Sequence, residues 1–240
     1  MSQYFNKSQV VGFKLLYVSC ISFLVLTMVG MIVYPGGTFM HTEYTHYYFL
    51  ENFFSDLGRT QTPNGSMNLF SLICFDTALI FQAVALYVFN IQFLKEVKAK
   101  ELHTVFYYIA IVCGILFPVF LYGIAITPCN LFLKAHMFCV RWGFGILVPL
   151  SLAYTILVRK HHLLPNKYGN VMQVIVLACF LYFILIMFGP NTRENIYIQP
   201  VAQKVIVYAM VFSLVYLTSG CMRYLHIPTK QEIREAQESA

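Results

Sequence analysis

The chain has 240 residues, of which 59% are hydrophobic and 11% charged, and its mean hydropathy is +0.67. Soluble domains carry roughly a quarter of their residues as charges, so this composition excludes a water-soluble globule. The net charge of +6 would suit nucleic acid in a soluble protein, but here the lysines and arginines flank apolar runs, so nucleic acid is excluded and membrane lipids are the expected partners.

The polar start, Met1 to Val10, leads into an apolar run from Val10 to Tyr34 with no A-x-A-like cleavage site, which predicts a retained helix. Five further runs follow: Met67 to Phe93, Thr104 to Thr127, Ala135 to Val158, Asn170 to Gly189 and Val201 to Tyr224. Each is near or above the ~20 residues that cross a hydrocarbon core as a helix. The fold class predicted is therefore all-α, a six-helix transmembrane bundle. One membrane domain uses residues 1–240 and leaves no room for a soluble domain. The connections at Leu94 to His103 and Pro128 to Lys134 are short, which makes neighbouring spans antiparallel.

Lys7, Lys14, Lys95, Lys98, Lys100, Arg159, Lys160, Lys167, Arg223, Lys230 and Arg234 fall on one side, whereas the other side carries only Arg59, Lys134, Arg193 and Lys204. The positive-inside rule then predicts both termini in the cytoplasm, in a plasma or bacterial inner membrane. The seven cysteines are scattered singly without a CxxC pair, so neither a disulfide framework nor a zinc site is expected. No internal repeat is evident, which weakens a transporter reading.

Only the first outer connection, Pro35 to Ser66, is long, and long loops of this kind are often functional. It opens on Tyr34-Pro35-Gly36-Gly37, a break that turns the chain. From Thr45 to Gly58 its spacing predicts an amphipathic helix: Phe49, Leu50, Phe53, Phe54 and Leu57 share one arc, while Glu51, Asn52, Ser55, Asp56 and Arg59 share the other. Such a helix either lies in the outer interface with its aromatics in lipid, or closes over a cavity with its polar face inward. His41-Thr42-Glu43-Tyr44-Thr45-His46 matches no standard metal spacing and reads as exposed loop.

Charged side chains at membrane depth need a reason. Asp76 lies ~14 Å below the outer end of the second span and Arg141 ~9 to 10 Å into the fourth, at 1.5 Å per residue. Inward pairing of the two is the expected solution, either as a ligand site or as a structural ion pair; Arg141 could instead snorkel outward beside Lys134. His136 stands one turn before Arg141. With Arg193 and Glu194 of the last outer loop, these groups could converge beneath the first loop on Glu51, Asn52, Ser55, Asp56, Arg59 and Asn68. Two or three guanidiniums there would suit an anionic headgroup.

The segment Glu51-Asn52-Phe53-Phe54-Ser55-Asp56-Leu57-Gly58, followed by Pro63-Asn64-Gly65 and Asn68, resembles the multi-pass membrane family called domain of unknown function 998. Gly123-Ile124-Ala125-Ile126-Thr127-Pro128 with His136 downstream is similar to that family's Gly-x-x-x-x-Pro turn and histidine. The resemblance covers about Tyr34 to Tyr154 and extends more distantly to the Frag1/DRAM/Sfk1 group linked to lipid handling. It implies six spans and an uncharacterised activity, and it supplies no catalytic residues. An alkaline-ceramidase-like zinc hydrolase does not fit, because the last span has no histidine.

Taken together, the sequence predicts a protein that binds a lipid or other amphiphile at an outer-face polar cavity. A membrane-embedded enzyme using Asp56, Asp76 or Glu51 as general base is the alternative, and a transporter comes third. No cofactor and no metal are expected. No nucleophile, base and orienter set is recognisable from spacing.

Overall fold

The computed structural model describes residues 7–99, 105–160, 164–190 and 197–224. Its helices are α1 (Lys7–Ile32), α2 (Leu69–Ala99), α3 (Val105–Ile126), α4 (Leu133–Lys160), α5 (Asn166–Phe188) and α6 (Ile198–Tyr224), with a single 3-10 turn, η1 (Phe54–Gly58), between α1 and α2. All six α-helices contain apolar stretches of 22 to 28 residues. At 1.5 Å per residue these exceed the ~30 Å hydrocarbon core, and the chain is a multi-pass integral membrane protein. Apolar runs understate helix ends: α5 begins at Asn166 rather than Asn170, and α2 continues past Phe93 to Ala99.

Each helix packs against its neighbours in the chain, and α6 returns to pack against α1, closing a ring. The core inside the ring is aromatic: Phe89 meets Phe13 edge-on at 5.5 Å and stacks on Phe93 at 5.7 Å, and Tyr154 packs against both Phe89 and Phe93. A polar link crosses it, the Tyr154 hydroxyl donating to Asn90 Oδ1. Gly114 of α3 permits that link, since a Cβ there would overlap the Asn90 side chain. Apolar residues such as Val29, Phe138, Val174, Leu177 and Phe212 are exposed on the outside of the ring, as a surface solvated by lipid requires.

The long connection departs from its predicted form. No amphipathic α-helix spans Thr45 to Gly58; turns lead into η1 at Phe54–Gly58. Two side chains take the bonds a helix would need: Asn52 Oδ1 accepts from the Tyr48 N–H at 2.9 Å, and Asp56 Oδ2 accepts from the Phe53 N–H at 2.9 Å. Asn and Asp compete with helical hydrogen bonding in this way. The apolar arc is split as well, Phe54 and Leu57 being buried while Phe49 and Leu50 are 45% exposed. The polar residues Glu51, Asn52 and Asp56 point in, at 6%, 0% and 8% exposure.

Candidate functional site

The loop becomes a plug over one end of the ring because each of its segments is tied to a helix. Tyr34-Pro35-Gly36-Gly37 turns the chain inward, with Gly36 and Gly37 at φ 116° and 82° in the left-handed region. A Cβ on Gly37 would stand 2.6 Å from the Asn64 nitrogen, so the two ends of the loop meet there backbone to backbone. At the start of α2, Asn68 Nδ2 donates to the carbonyls of Leu57 and Arg59, each at 2.9 Å. In the α3–α4 connection, Asn130 accepts from the Thr60 N–H at 3.0 Å and donates to the Thr60 hydroxyl at 2.8 Å.

From α6, Gln203 Oε1 accepts from the Phe54 N–H at 2.8 Å. The next residue, Lys204, is 1% exposed; its ammonium donates to the Asn52 carbonyl and, at 3.1 Å, to that of Pro200, and it lies 5.0 Å from the Phe49 ring centroid. The Tyr47 hydroxyl donates to the Phe53 carbonyl at 2.9 Å, and burial raises its pKa well above the ordinary phenol value, which keeps it a donor.

Beneath the plug lies a cavity of about 510 Å³ walled by the loop, α4, α5 and α6. Its polar wall is Glu51, Ser55, Asp56, Arg59, His136, Gln199 and Gln203, and its apolar wall includes Phe39, Leu133, Met137, Tyr182 and Ile186. A second, smaller cavity of about 100 Å³ lies in the ring below Phe54 and is lined almost wholly by apolar side chains, among them Phe23, Phe75, Phe117, Leu121, Phe144 and Val207. Ser55, Val140 and Gln203 line both cavities. A partly polar mouth and an apolar chamber therefore adjoin across these three side chains.

At the mouth, Asp56 is fully engaged: Oδ2 accepts from the Phe53 N–H and from Asn52 Nδ2 at 3.2 Å, and Oδ1 accepts from Arg59 Nη1 at 3.1 Å. Burial is the largest single influence and disfavours the Arg59 cation, but Asp56, together with Cys129 and Tyr34, raises its proton affinity on balance, so the guanidinium stays charged. Glu51 Oε2 accepts from the Thr38 hydroxyl at 2.8 Å and has no cationic partner among the described residues. His136 Nδ1 lies 2.7 Å from the Thr127 carbonyl, which accepts only and so fixes the proton on Nδ1. Nε2 is then a bare acceptor, buried and without a hydrogen-bond partner, on a residue 2% exposed that lines the cavity. Arg59 Nε–H is likewise buried without an acceptor. One orphaned acceptor and one orphaned donor thus sit on one cavity wall, where such groups ordinarily find partners.

Cys129 lies on the same wall, where its sulfur accepts from Arg59 Nη1 at 3.5 Å. Burial first, and then the Asp56 carboxylate, push its pKa up to about 12. At pH 8 only ~10⁻⁴ of it is thiolate, the form that reacts. Iodoacetamide at that pH is expected to leave Cys129 unmodified in the folded protein and to label it after denaturation, as read by peptide mass spectrometry; equal labelling in both states would contradict this environment.

Of the residues the sequence singled out, Glu51, Ser55, Asp56, Arg59 and His136 meet at the cavity, while Asn52 and Asn68 hold the loop's backbone behind it. Asp76 and Arg141 do not pair. In the ring α3 stands between α2 and α4, Arg141 is exposed on the outer surface beside exposed Lys134, and Asp76 is half-buried near Gly58 with one carboxylate oxygen unpartnered. Outward snorkelling is the cheaper solution for Arg141 because its long stem reaches the interface without burying charge. Arg193 and Glu194 lie outside the described residues. Sequence reasoning missed Gln203 and Lys204 as the groups that hold the plug, and Gln199, Thr38 and Cys129 around the mouth. The depth rule that drew attention to Arg141 applies equally to Gln203-Lys204, an amide and an ammonium about one turn into the last span.

Comparison with known protein families, with curated proteins and with solved structures finds no match to this chain.

Proposed function

We propose that the protein binds an amphiphile, its head in the 510 Å³ mouth and its alkyl part in the apolar chamber. The observation that carries this reading is a pair of buried, unpartnered nitrogens, His136 Nε2 and Arg59 Nε, on residues lining a cavity that shares Ser55, Val140 and Gln203 with an apolar one. A ligand O–H or N–H would satisfy Nε2, and a ligand carbonyl or phosphoryl oxygen would satisfy Arg59 Nε–H. The anionic head expected from the sequence gives way to an uncharged or zwitterionic one: of the arginines expected to converge, Arg59 alone is placed at the mouth among the described residues, it is paired with Asp56, and Glu51 adds a carboxylate.

The plug faces the outside and both termini face the cytoplasm in this proposal, supported by the cationic end formed by Lys14, Lys95, Arg159, Lys160, Lys167 and Arg223. Membership in the domain of unknown function 998 family is part of the same proposal and rests on the Ser55-Asp56-Leu57-Gly58 and Pro128/His136 motifs.

A membrane-embedded hydrolase acting on the same amphiphile is the second reading, favoured by Nε2 being a bare base with Ser55 on the same cavity wall. Against it, no hydrogen bond joins Ser55 to His136, as an activated nucleophile would need.

The test is thermal unfolding in nanodiscs with monododecanoyl-glycerol, whose head carries both donors and acceptors, beside dodecane. A ligand at a hundred times its Kd stabilises by ~2.7 kcal/mol. Monododecanoyl-glycerol is expected to raise the Tm of the wild type and not of His136→Phe, with dodecane inert in both. Equal shifts in wild type and variant, or no shift, would overturn the binding site, and release of free dodecanoic acid would favour the hydrolase.

A further inference from the structure

A second groove lies at the opposite end of the molecule from the plug. Between α4 and α5 runs a groove of about 680 Å³, open to the membrane and lined by Val148, Leu152 and Ile156 on one side and Leu177 and Phe180 on the other, with Arg159 at its end. From Val148 to Arg159 it extends ~16 Å along α4, about half of a ~30 Å hydrocarbon core, which is the depth of one leaflet.

Arg159 is built into this groove. Its Nη2 donates to Asn170 Oδ1 at 3.1 Å and to Gln173 Oε1, so two uncharged acceptors of α5 aim the guanidinium without neutralising it. Gly169 makes room for its stem, since a Cβ there would stand 2.6 Å from Arg159 Cγ. Lys160 and Lys167 flank it, both exposed. The described carboxylates Glu43, Glu51, Asp56 and Asp76 all lie in the plug half of the molecule, and none is among the described side chains at this end. Among the described side chains, the charges at the mouth of the groove are therefore all positive.

We infer that this groove is a selective site for one anionic phospholipid of the leaflet at the basic end, its phosphate on Arg159 and one acyl chain along α4 and α5. An apolar slot of one-leaflet depth, ending in a guanidinium that has no carboxylate partner among the described residues, matches that ligand in both parts. A zwitterionic lipid would fill the slot equally well, but its ammonium would meet Lys160 and Lys167.

The test is native mass spectrometry of delipidated protein titrated with equal amounts of phosphatidylglycerol and phosphatidylcholine of the same chains at low salt. Wild type is expected to retain one phosphatidylglycerol with about tenfold preference, reduced to near unity in Arg159→Gln. Leu177→Trp, on a side chain 59% exposed to lipid, fills the slot without touching charge and is expected to lower retention with the fold intact. Equal retention of the two lipids by the wild type, unchanged preference in Arg159→Gln, or unchanged retention in Leu177→Trp would overturn the inference. So would self-association that covers this face with no lipid retained.

Discussion

Asp56→Ala is expected to lower unfolding stability by about 3 kcal/mol, the low end of the range for breaking a buried ion pair, because Arg59 is only partly buried. Asp56 is 8% exposed and its carboxylate holds three donors, the Phe53 N–H, Asn52 Nδ2 and Arg59 Nη1. Alanine leaves the Phe53 N–H and the Asn52 amide without that acceptor and leaves Arg59 as a partly buried cation without its counter-ion. For a protein with ~5 to 15 kcal/mol in total, such a loss is a large share of stability. Asp56→Asn keeps the shape and one acceptor oxygen but turns an amide toward a donor, so an intermediate loss is expected. Fluorescence-detected thermal unfolding in detergent checks the series. An Asp56→Ala protein that melts with the wild type would show that the plug does not depend on this carboxylate.

Lys204→Met is expected to cost about 2 to 3 kcal/mol, and the loss should fall on the plug rather than on the bundle. Methionine preserves most of the stem's packing, so the change isolates the ammonium. What is lost is a charge-assisted hydrogen bond to the Asn52 carbonyl, the ammonium's placement near the Phe49 ring, and a positive charge near Asp56. Limited proteolysis of the Pro35 to Ser66 connection should accelerate well before α-helical circular dichroism changes. Because Lys204 and Asp56 interact, the double variant Lys204→Met, Asp56→Asn is expected to lose less than the two single losses added together. Strict additivity would place the two residues in separate networks.

The spans were legible because an apolar run of ~20 residues in a chain of this composition has one stable home, a helix across lipid. What sits over the mouth of the ring was half legible. Glu51, Ser55, Asp56, Arg59 and His136 were chosen as polar residues on one side of the membrane, and they do share a cavity. Their local conformation is not legible, because helical spacing from Thr45 to Gly58 does not reveal that Asn52 and Asp56 spend their side chains on the loop's own backbone. The Asp76 and Arg141 pairing failed for a different reason. Depth in the membrane can be counted along a sequence, but the order of helices around a ring cannot, and α3 separates the two. By sequence Lys204 reads as a flanking cation, yet about one turn into α6 it is buried.

The central claim is that the mouth beneath the plug holds an amphiphile. It is tested most directly by quantifying small molecules retained when the protein is purified in native membrane patches, comparing wild type with His136→Phe and Arg141→Ala. One species in near-stoichiometric amount is expected in the wild type and in Arg141→Ala, whose side chain lies outside the site, and it should be lost from His136→Phe. Bulk lipid alone in all three, or loss from Arg141→Ala with retention in His136→Phe, would contradict the account.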